Sequence, residues 1–181
     1  MPQRLFIAIG LPEELRRRLG RLLPQPPAGV KPVRPEQLHL TLHFLGDIDE
    51  GAAAELAAAL PEIRQPAFTI DLAGGGCFPS PRRPNVLWVG VKPSEPLHAL
   101  RESVADVLGE CGRPVESRSF TPHVTIARVS RRLPAGWLEA FLANAARFSA
   151  EAVPVRAVTL YASERMNHGA VHEPLGQYPL T

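Results

Sequence analysis

One four-residue pattern occurs twice in this chain and constrains its fold more than any other feature: a histidine, an aliphatic residue, a threonine and a second aliphatic residue. The first copy, His-Leu-Thr-Leu, spans 39–42, and the second, His-Val-Thr-Ile, spans 123–126. Each copy lies in a short apolar segment typical of a β-strand. The pattern therefore predicts two similar strands, one in each half of the chain.

The order of elements around the two copies supports an internal repeat. Each half is predicted to run strand, helix, strand, helix, strand, with the histidine strand in the middle. The repeats are expected at roughly 4–76 and 85–165, followed by a last strand near 170–180. Because the helices separate strands that need not run parallel, we predict an α+β fold in a single domain over 1–181.

The third strand of each half is predicted from its apolar residues and its boundaries. In the first half it begins at Phe68, and the glycines at 74–76 are expected to end it. In the second half one long strand is expected over 153–163. Two of the helices have clear start signals, since Asp49 and Ser94 are suitable capping residues.

Strand geometry gives the repeated pattern a chemical meaning. Successive side chains of a strand alternate between its faces. His39, Thr41 and His43 should therefore share one face of the first strand, and His123 and Thr125 one face of the second. If the halves face each other, two imidazoles and two hydroxyls meet in one cleft.

Such a cleft suits an in-line reaction at a phosphodiester. An imidazole has an unperturbed pKa of ~6.5, so one histidine can accept a proton near neutral pH while the other donates one. Threonine hydroxyls can donate hydrogen bonds to the non-bridging phosphate oxygens. This chemistry requires no metal and no cofactor.

Composition limits the alternatives. The net charge is only +2, and all but two of the 20 basic residues are arginines, which base composition alone can explain. Two cysteines, Cys77 and Cys111, make neither a disulfide framework nor a metal site. No apolar run approaches the roughly 18 residues of a membrane span, and the first apolar segment is too short for a signal peptide. We expect a soluble cytoplasmic protein.

In this context the chain resembles the two-histidine phosphoesterase superfamily. More closely, it resembles the bacterial and archaeal RNA 2′,3′-cyclic phosphodiesterases, long called 2′-5′ RNA ligases. The segments that carry the resemblance are 4–9, 39–46, 78–79, 86–91, 120–128 and 160–163. The resemblance implies a bilobal, pseudo-two-fold α+β fold, with two antiparallel sheets and flanking helices around a central cleft.

The resemblance also implies an activity. It is metal-independent hydrolysis of the 2′,3′-cyclic phosphate at an RNA 3′ end to a 2′-phosphomonoester, with reversible 2′-5′ ligation. Its substrates would be RNA 3′ ends or small cyclic nucleotides, and we expect a monomer. His39 and His123 would be the acid–base pair, and Thr41 and Thr125 would bind the phosphate. We hypothesise that His123 activates water and His39 protonates the departing 3′ oxygen; the reverse assignment stays open.

Four other residues each allow two interpretations. His43 stands where the family often has lysine, and it either contacts the RNA backbone or lies at the cleft rim. Arg128 would lie on the aliphatic face of a regular strand, but a bulge could turn it into the cleft, where it would contact phosphate or RNA instead of forming a structural ion pair. Arg82 and Arg83, on a proline-flanked loop, either capture an RNA end or are simply solvated.

The remaining ring side chains are assigned to the core or the surface. Phe44 and Trp88 are expected in the core and not as platforms for bases. Three histidines lack a paired motif and are predicted to lie at the surface: His98, His168 and His172.

Three other function classes remain open. One is the same chemistry on another substrate, such as ADP-ribose cyclic phosphate or a 2′-5′ oligoadenylate. The second is a non-catalytic RNA-binding module, which would not need two acid–base groups. The third is a histidine metalloenzyme, which would need a carboxylate beside the imidazoles, whereas Asp47 and Asp49 lie beyond the strand.

Overall fold

A computed structural model describes residues 1–166 and 169–181, so His168 lies outside the described residues. Within them, four α-helices are formed: α1 (Glu13–Gly20), α2 (Glu50–Ala59), α3 (Glu95–Glu110) and α4 (Trp137–Ala146). The nine strands of the same residues are β1 (Gln3–Gly10), β2 (Val30–Pro32), β3 (His39–Ile48), β4 (Phe68–Ser80), β5 (Arg83–Val91), β6 (His123–Val129), β7 (Ser149–Val155), β8 (Ala157–Met166) and β9 (Gly169–Pro179). No described helix combines the length and the apolar character that a membrane span needs.

The strands form one curled antiparallel sheet in the order β7-β4-β5-β6-β3-β1-β8-β9, with β2 paired to β6. The predicted α+β fold class is confirmed. The two expected sheets are continuous, because β3 and β6 meet at the middle. Among the described residues their one registered pair is Leu40 with Val124, and both residues are fully buried.

The strand order has a pseudo-two-fold arrangement about this pair. One lobe contains β6, β5, β4 and β7, and the other contains β3, β1, β8 and β9. These lobes do not coincide with the two halves of the sequence. β4, from the first half, pairs with β5 and β7, whereas β8, from the second half, pairs with β1 and β9. The internal repeat itself stays a prediction.

The expected long strand over 153–163 is two strands. β7 ends at Val155 and β8 begins at Ala157. The two strands lie at opposite ends of the sheet order, so the chain must leave one lobe and enter the other at Arg156. The Arg156 carbonyl accepts a hydrogen bond from Leu180 N–H at 2.8 Å. Apolar residues continue on both sides of this break, and the sequence pattern therefore does not reveal it.

Local signals place the helices that cover the core. The Asp49 carboxylate accepts a hydrogen bond from Ala52 N–H at 2.9 Å and caps α2, and the Ser94 hydroxyl accepts one from Leu97 N–H at 3.3 Å and caps α3. Both predicted caps are confirmed. Buried leucines of α1, α2 and α3 pack with Leu40 and Val124 in one large core, while α4 packs in a smaller second cluster.

The three glycines at 74–76 do not end β4, which continues to Ser80. Gly74 has φ +68° at a bulge in the strand. A Cβ on Gly75 would lie 2.5 Å from Ala145 Cβ of α4, and one on Gly76 would lie 2.5 Å from the Trp88 ring. The glycines thus let α4 and an indole approach the backbone of β4 closely.

Replacing Gly75 with alanine should therefore destabilise the fold. The added methyl group meets Ala145 Cβ and, at 2.7 Å, the Trp88 carbonyl oxygen, neither of which is a flexible side-chain end. Overpacking of this kind typically costs about 1–3 kcal/mol in the free energy of unfolding, and urea denaturation measures it. Gly109→Ala, in α3, is the control, because nothing lies within 4 Å of the place its methyl group would take. It should stabilise the helix slightly, and equal effects of the two changes would contradict the packing argument.

Candidate active site

The two pattern histidines occupy equivalent positions at the starts of β3 and β6. His39 Nδ1 lies 2.8 Å from the Gln37 carbonyl oxygen, and His123 Nδ1 lies 2.7 Å from that of Thr121. A carbonyl can only accept, so in both rings Nδ1 carries the proton and donates. Nε2 then keeps its lone pair in each neutral imidazole, ready to accept a proton.

Aromatic rings support both imidazoles. The Phe6 ring centroid lies 4.8 Å from that of His39, and the Tyr161 ring stacks on Phe6 at 5.1 Å and lies 6.0 Å from His39. In the other lobe the edge of Phe78 meets His123 at 5.1 Å and 81°. These contacts restrict the rotation of each ring, so the catalytic candidates are preorganised.

The register of β3 and β6 brings the two patterns together. Leu40 pairs with Val124 and both point into the core. By strand alternation the half-buried His39, Thr41, His123 and Thr125 lie on the opposite face. In an antiparallel pair this register brings each histidine towards the threonine of the other strand. The structure thus unites the four side chains that the sequence pattern selects.

The surroundings favour neutral imidazoles. The pKa of His39 is lowered to about 4, chiefly by burial; the hydrogen bond to Gln37 acts in the opposite direction, and His172, Arg128 and His123 contribute to the lowering. Burial also lowers the pKa of His123, against its hydrogen bond to Thr121, and Arg128 again acts in the same direction. An anion bound between these groups would favour their protonated forms.

A bulge turns Arg128 to the cleft face. Leu87 pairs with Ala127 and Trp88 pairs with Thr125, which leaves Ile126 as the extra residue. The side chain of Arg128 is consequently exposed, and its charge acts on His39, His123 and His172. Its guanidinium makes no salt bridge with a carboxylate of the described residues.

A bulge at the equivalent place in β3 makes the cleft position predicted for His43 wrong. Ile7 pairs with His43 and Ala8 pairs with Thr41, so Leu42 is extra and the faces exchange after it. His43 is only 1% exposed, and its Nε2 donates to the Arg101 carbonyl oxygen at 2.9 Å. It lies in the interior and cannot contact RNA.

The core position predicted for Phe44 is wrong for the same reason. Phe44 follows the bulge, and it is 62% exposed with its ring 6.2 Å from Phe6. Phe44 and Arg128 stand five residues after their respective pattern histidines. The two lobes therefore present different side chains at equivalent places on the cleft face.

His172 belongs to the site, so the surface position predicted for it is wrong. Its ring meets His39 edge-on at 5.1 Å and Phe6 at 4.9 Å. Gln37, whose carbonyl oxygen holds His39, also accepts a hydrogen bond from His172 N–H through its side chain at 2.6 Å. β9 comes from the far end of the chain, and no local signal around His172 reveals this contact. His98 is exposed, as predicted.

Arg82 and Arg83 lie away from the histidines. They occupy the turn between β4 and β5 and the start of β5, whereas Gly90, at the other end of β5, pairs with His123. Both arginines are exposed and line an open groove together with Arg131 and Arg132.

The two acidic residues considered for a metal site have other contacts. Asp47 forms a salt bridge with Arg4 at 3.7 Å, and Asp49 caps α2. In residues 1–166 and 169–181 no group of three His, Cys, Asp or Glu side chains is placed to hold a metal ion.

Comparisons with known proteins agree with this geometry. The model of the 2′-5′ RNA ligase superfamily matches residues 11–167. The chain belongs to this superfamily. It is 37% identical to the RNA 2′,3′-cyclic phosphodiesterase of Archaeoglobus fulgidus over 72% of this chain and 75% of that protein. It is 36% identical to the protein of the same name from Thermus thermophilus, over 98% of this chain and 90% of that one.

A solved structure shares this fold. LigT of E. coli in complex with 3′-AMP superposes with a TM-score of 0.77 at 31% identity, covering 100% of this chain and 99% of that chain. The similarity of fold therefore extends along the whole length of both chains.

The buried imidazole of His43 should make stability depend on pH. Burial lowers its pKa below 6.5, against the hydrogen bond to Arg101. The unfolded chain then binds more protons below about pH 6.5, so this contribution to stability is full above that pH and is lost as the pH falls. His43→Gln can keep the donor to Arg101 but cannot titrate. Its free energy of unfolding, measured in urea, should fall less steeply from pH 6.5 to 5 than that of the unmodified protein; parallel curves would contradict this.

Proposed function

We propose that this protein hydrolyses the 2′,3′-cyclic phosphate at an RNA 3′ end to a 2′-phosphomonoester, without a metal, through His39 and His123. The observation that carries the proposal is the paired geometry of the two histidines. Each donates from Nδ1 to a backbone carbonyl two residues earlier, and each lies beside a threonine on the same face of one sheet. Relatives named RNA 2′,3′-cyclic phosphodiesterase support the choice of substrate.

The reaction needs one proton acceptor and one proton donor on opposite sides of phosphorus. The oxygen of water attacks phosphorus while an imidazole Nε2 takes its proton. The bond from phosphorus to O3′ breaks, and the other imidazole gives its proton to O3′. The phosphate remains on O2′ as a monoester. When a 5′-hydroxyl takes the place of water, the same steps form a 2′-5′ linkage.

We assign His39 as the base and His123 as the acid, the reverse of the hypothesis from sequence. The pKa of His39 is lowered to about 4 by burial and nearby positive charges, so His39 is the group best kept neutral. Besides burial, the charge of Arg128 lowers the pKa of His123, whereas three charged groups act on His39, and a bound phosphate anion favours the protonated form of His123.

The other cleft groups bind the phosphate in this proposal. Thr41 and Thr125 donate from their hydroxyls to the non-bridging oxygens. The guanidinium of Arg128 neutralises charge that develops on those oxygens, and its lack of a described carboxylate partner leaves its donors available. Arg82 and Arg83 contact RNA further from the reacting centre. We further propose that the protein acts as a monomer in the cytoplasm.

Replacing either histidine should abolish turnover. With an oligoribonucleotide ending in a 2′,3′-cyclic phosphate, His39→Ala and His123→Ala should each lower kcat by roughly 10²–10⁴-fold, the usual contribution of an acid or base. Chromatography of the 2′-phosphate product measures this, with His43→Gln as the control of unchanged activity. Wild-type turnover should persist in saturating EDTA. Full activity of either alanine variant would refute the mechanism, and turnover confined to ADP-ribose cyclic phosphate or 2′-5′ oligoadenylate would refute the substrate.

A sulfur leaving group should distinguish the acid from the base. If the 3′ oxygen of the cyclic phosphate is replaced by sulfur, the departing thiolate needs no proton. His123→Ala should then recover much of its lost rate, whereas His39→Ala should stay inactive. Both rates are measured by thiol release. Recovery by His39→Ala alone would show that the two roles are exchanged.

A further inference from the structure

Four arginines meet in an open groove away from the residues that take part in the proposed reaction. Arg82 and Arg83 come from the β4–β5 turn and the start of β5, and Arg131 and Arg132 come from the connection between β6 and α4. All four are exposed, and they line a groove of about 570 Å³. We call it the arginine groove.

The backbone brings the two pairs together. β5 and β6 are antiparallel, with Val86 opposite Arg128, so the chain before Val86 runs beside the chain after Arg128. Ser130 N–H donates to the Gly29 carbonyl oxygen at 2.8 Å, which fixes the start of the connection. A Cβ on Gly29 would lie 2.6 Å from Arg131 Cβ, so this glycine makes room for Arg131.

The charges of the groove are not compensated within the described chain. None of its four arginines forms a salt bridge with a carboxylate, whereas Arg4, Arg17, Arg34, Arg64 and Arg118 do. Glu139 is the acidic residue among those described in the lining. Guanidinium groups left with free donors favour an external anion, above all phosphate.

The position of the groove indicates which anion it binds. The charge of Arg128 lowers the pKa of both histidines, and Arg131 follows Arg128 by three residues, which is at most roughly 10 Å of chain at about 3.3 Å per residue. A short length of single-stranded RNA can span that distance. A substrate with its cyclic phosphate between the histidines would extend its chain in the 5′ direction, past Arg128.

We propose that the arginine groove binds backbone phosphates of single-stranded RNA on the 5′ side of the cyclic phosphate. This proposal rests on the proposed function, because that function sets where the RNA ends. The described lining contains no aromatic side chain for base stacking. Binding there is therefore electrostatic, insensitive to base sequence and dependent on salt. The enzyme should accordingly prefer an oligonucleotide to a cyclic mononucleotide.

The test compares these two substrates in the Arg131→Ala/Arg132→Ala variant. For a ten-residue RNA ending in 2′,3′-cyclic phosphate, KM should rise about tenfold. The slope of log KM against log salt should fall by about 1.4, at about 0.7 for each lost phosphate contact on a single strand. For 2′,3′-cyclic AMP, kcat/KM should stay within about twofold. The Arg82→Ala/Arg83→Ala variant should show the same changes in KM and in salt dependence. Because it alters the other side of the groove, it keeps the test valid if the first variant fails to fold.

The matched control is Arg147→Ala/Arg156→Ala, which removes the same charge elsewhere. Arg147 follows the far end of α4 and Arg156 lies between β7 and β8, and both are exposed. The control should leave both substrates unchanged. Equal losses on the two substrates in the groove variants, no loss on either, or the same loss in the control would each overturn the proposal.

A binding measurement separates this proposal from the proposed function. Fluorescence anisotropy of a labelled ten-residue RNA ending in a 3′-hydroxyl reports on the groove without any chemistry. Weaker binding by both groove variants than by the control supports the groove even if the unmodified protein turns over neither cyclic phosphate. Unchanged binding, with the cyclic phosphates hydrolysed normally, rejects the groove and leaves the proposed function standing.

Discussion

The contact of Leu40 with Val124 is the constraint on which the rest of the site depends. It is the one registered pair that joins β3 to β6 among the residues described, and it lies at the centre of the strand order. With both side chains buried, the neighbouring positions of each strand must point the other way. Two histidines and two threonines are thereby set on one surface by the burial of two aliphatic residues. The hydrophobic effect, acting behind the sheet, positions the polar groups in front of it.

The second organising element is the pair of bulges at Leu42 and Ile126. Each makes the last residue of its pattern the extra residue and exchanges the faces of the strand beyond it. The result is symmetric in backbone and asymmetric in chemistry: one lobe turns the charge of Arg128 to the cleft, and the other turns the ring of Phe44. A pseudo-symmetric scaffold can in this way present an asymmetric surface, as a reaction with distinct attacking and leaving groups requires.

Much of this arrangement could be predicted from the sequence, and the failures share a cause. Alternation along short strands is local, so the sequence places His39 and Thr41 on one face of their strand and His123 and Thr125 on one face of theirs, and it also marks the caps at Asp49 and Ser94. The bulge that buries His43 depends on pairing with β1, and nothing local marks it. The contact of His172 with His39 requires β9 to reach the same lobe. Features fixed by distant pairing, including which lobe receives β4 and β8, could not be derived from composition or periodicity.

The exchange of β4 and β8 has a consequence for how such a fold can arise. If each half of the chain were a separate polypeptide, β4 would complete the sheet of the second half and β8 that of the first. That is the topology of a domain-swapped dimer whose two subunits have been joined end to end. If the chain arose by joining two such copies, each copy would have carried one of the two histidines, and the cleft would have formed only between two copies. Within one chain the two halves can differ in sequence, and Phe44 in one lobe against Arg128 in the other is a difference that two identical subunits cannot have.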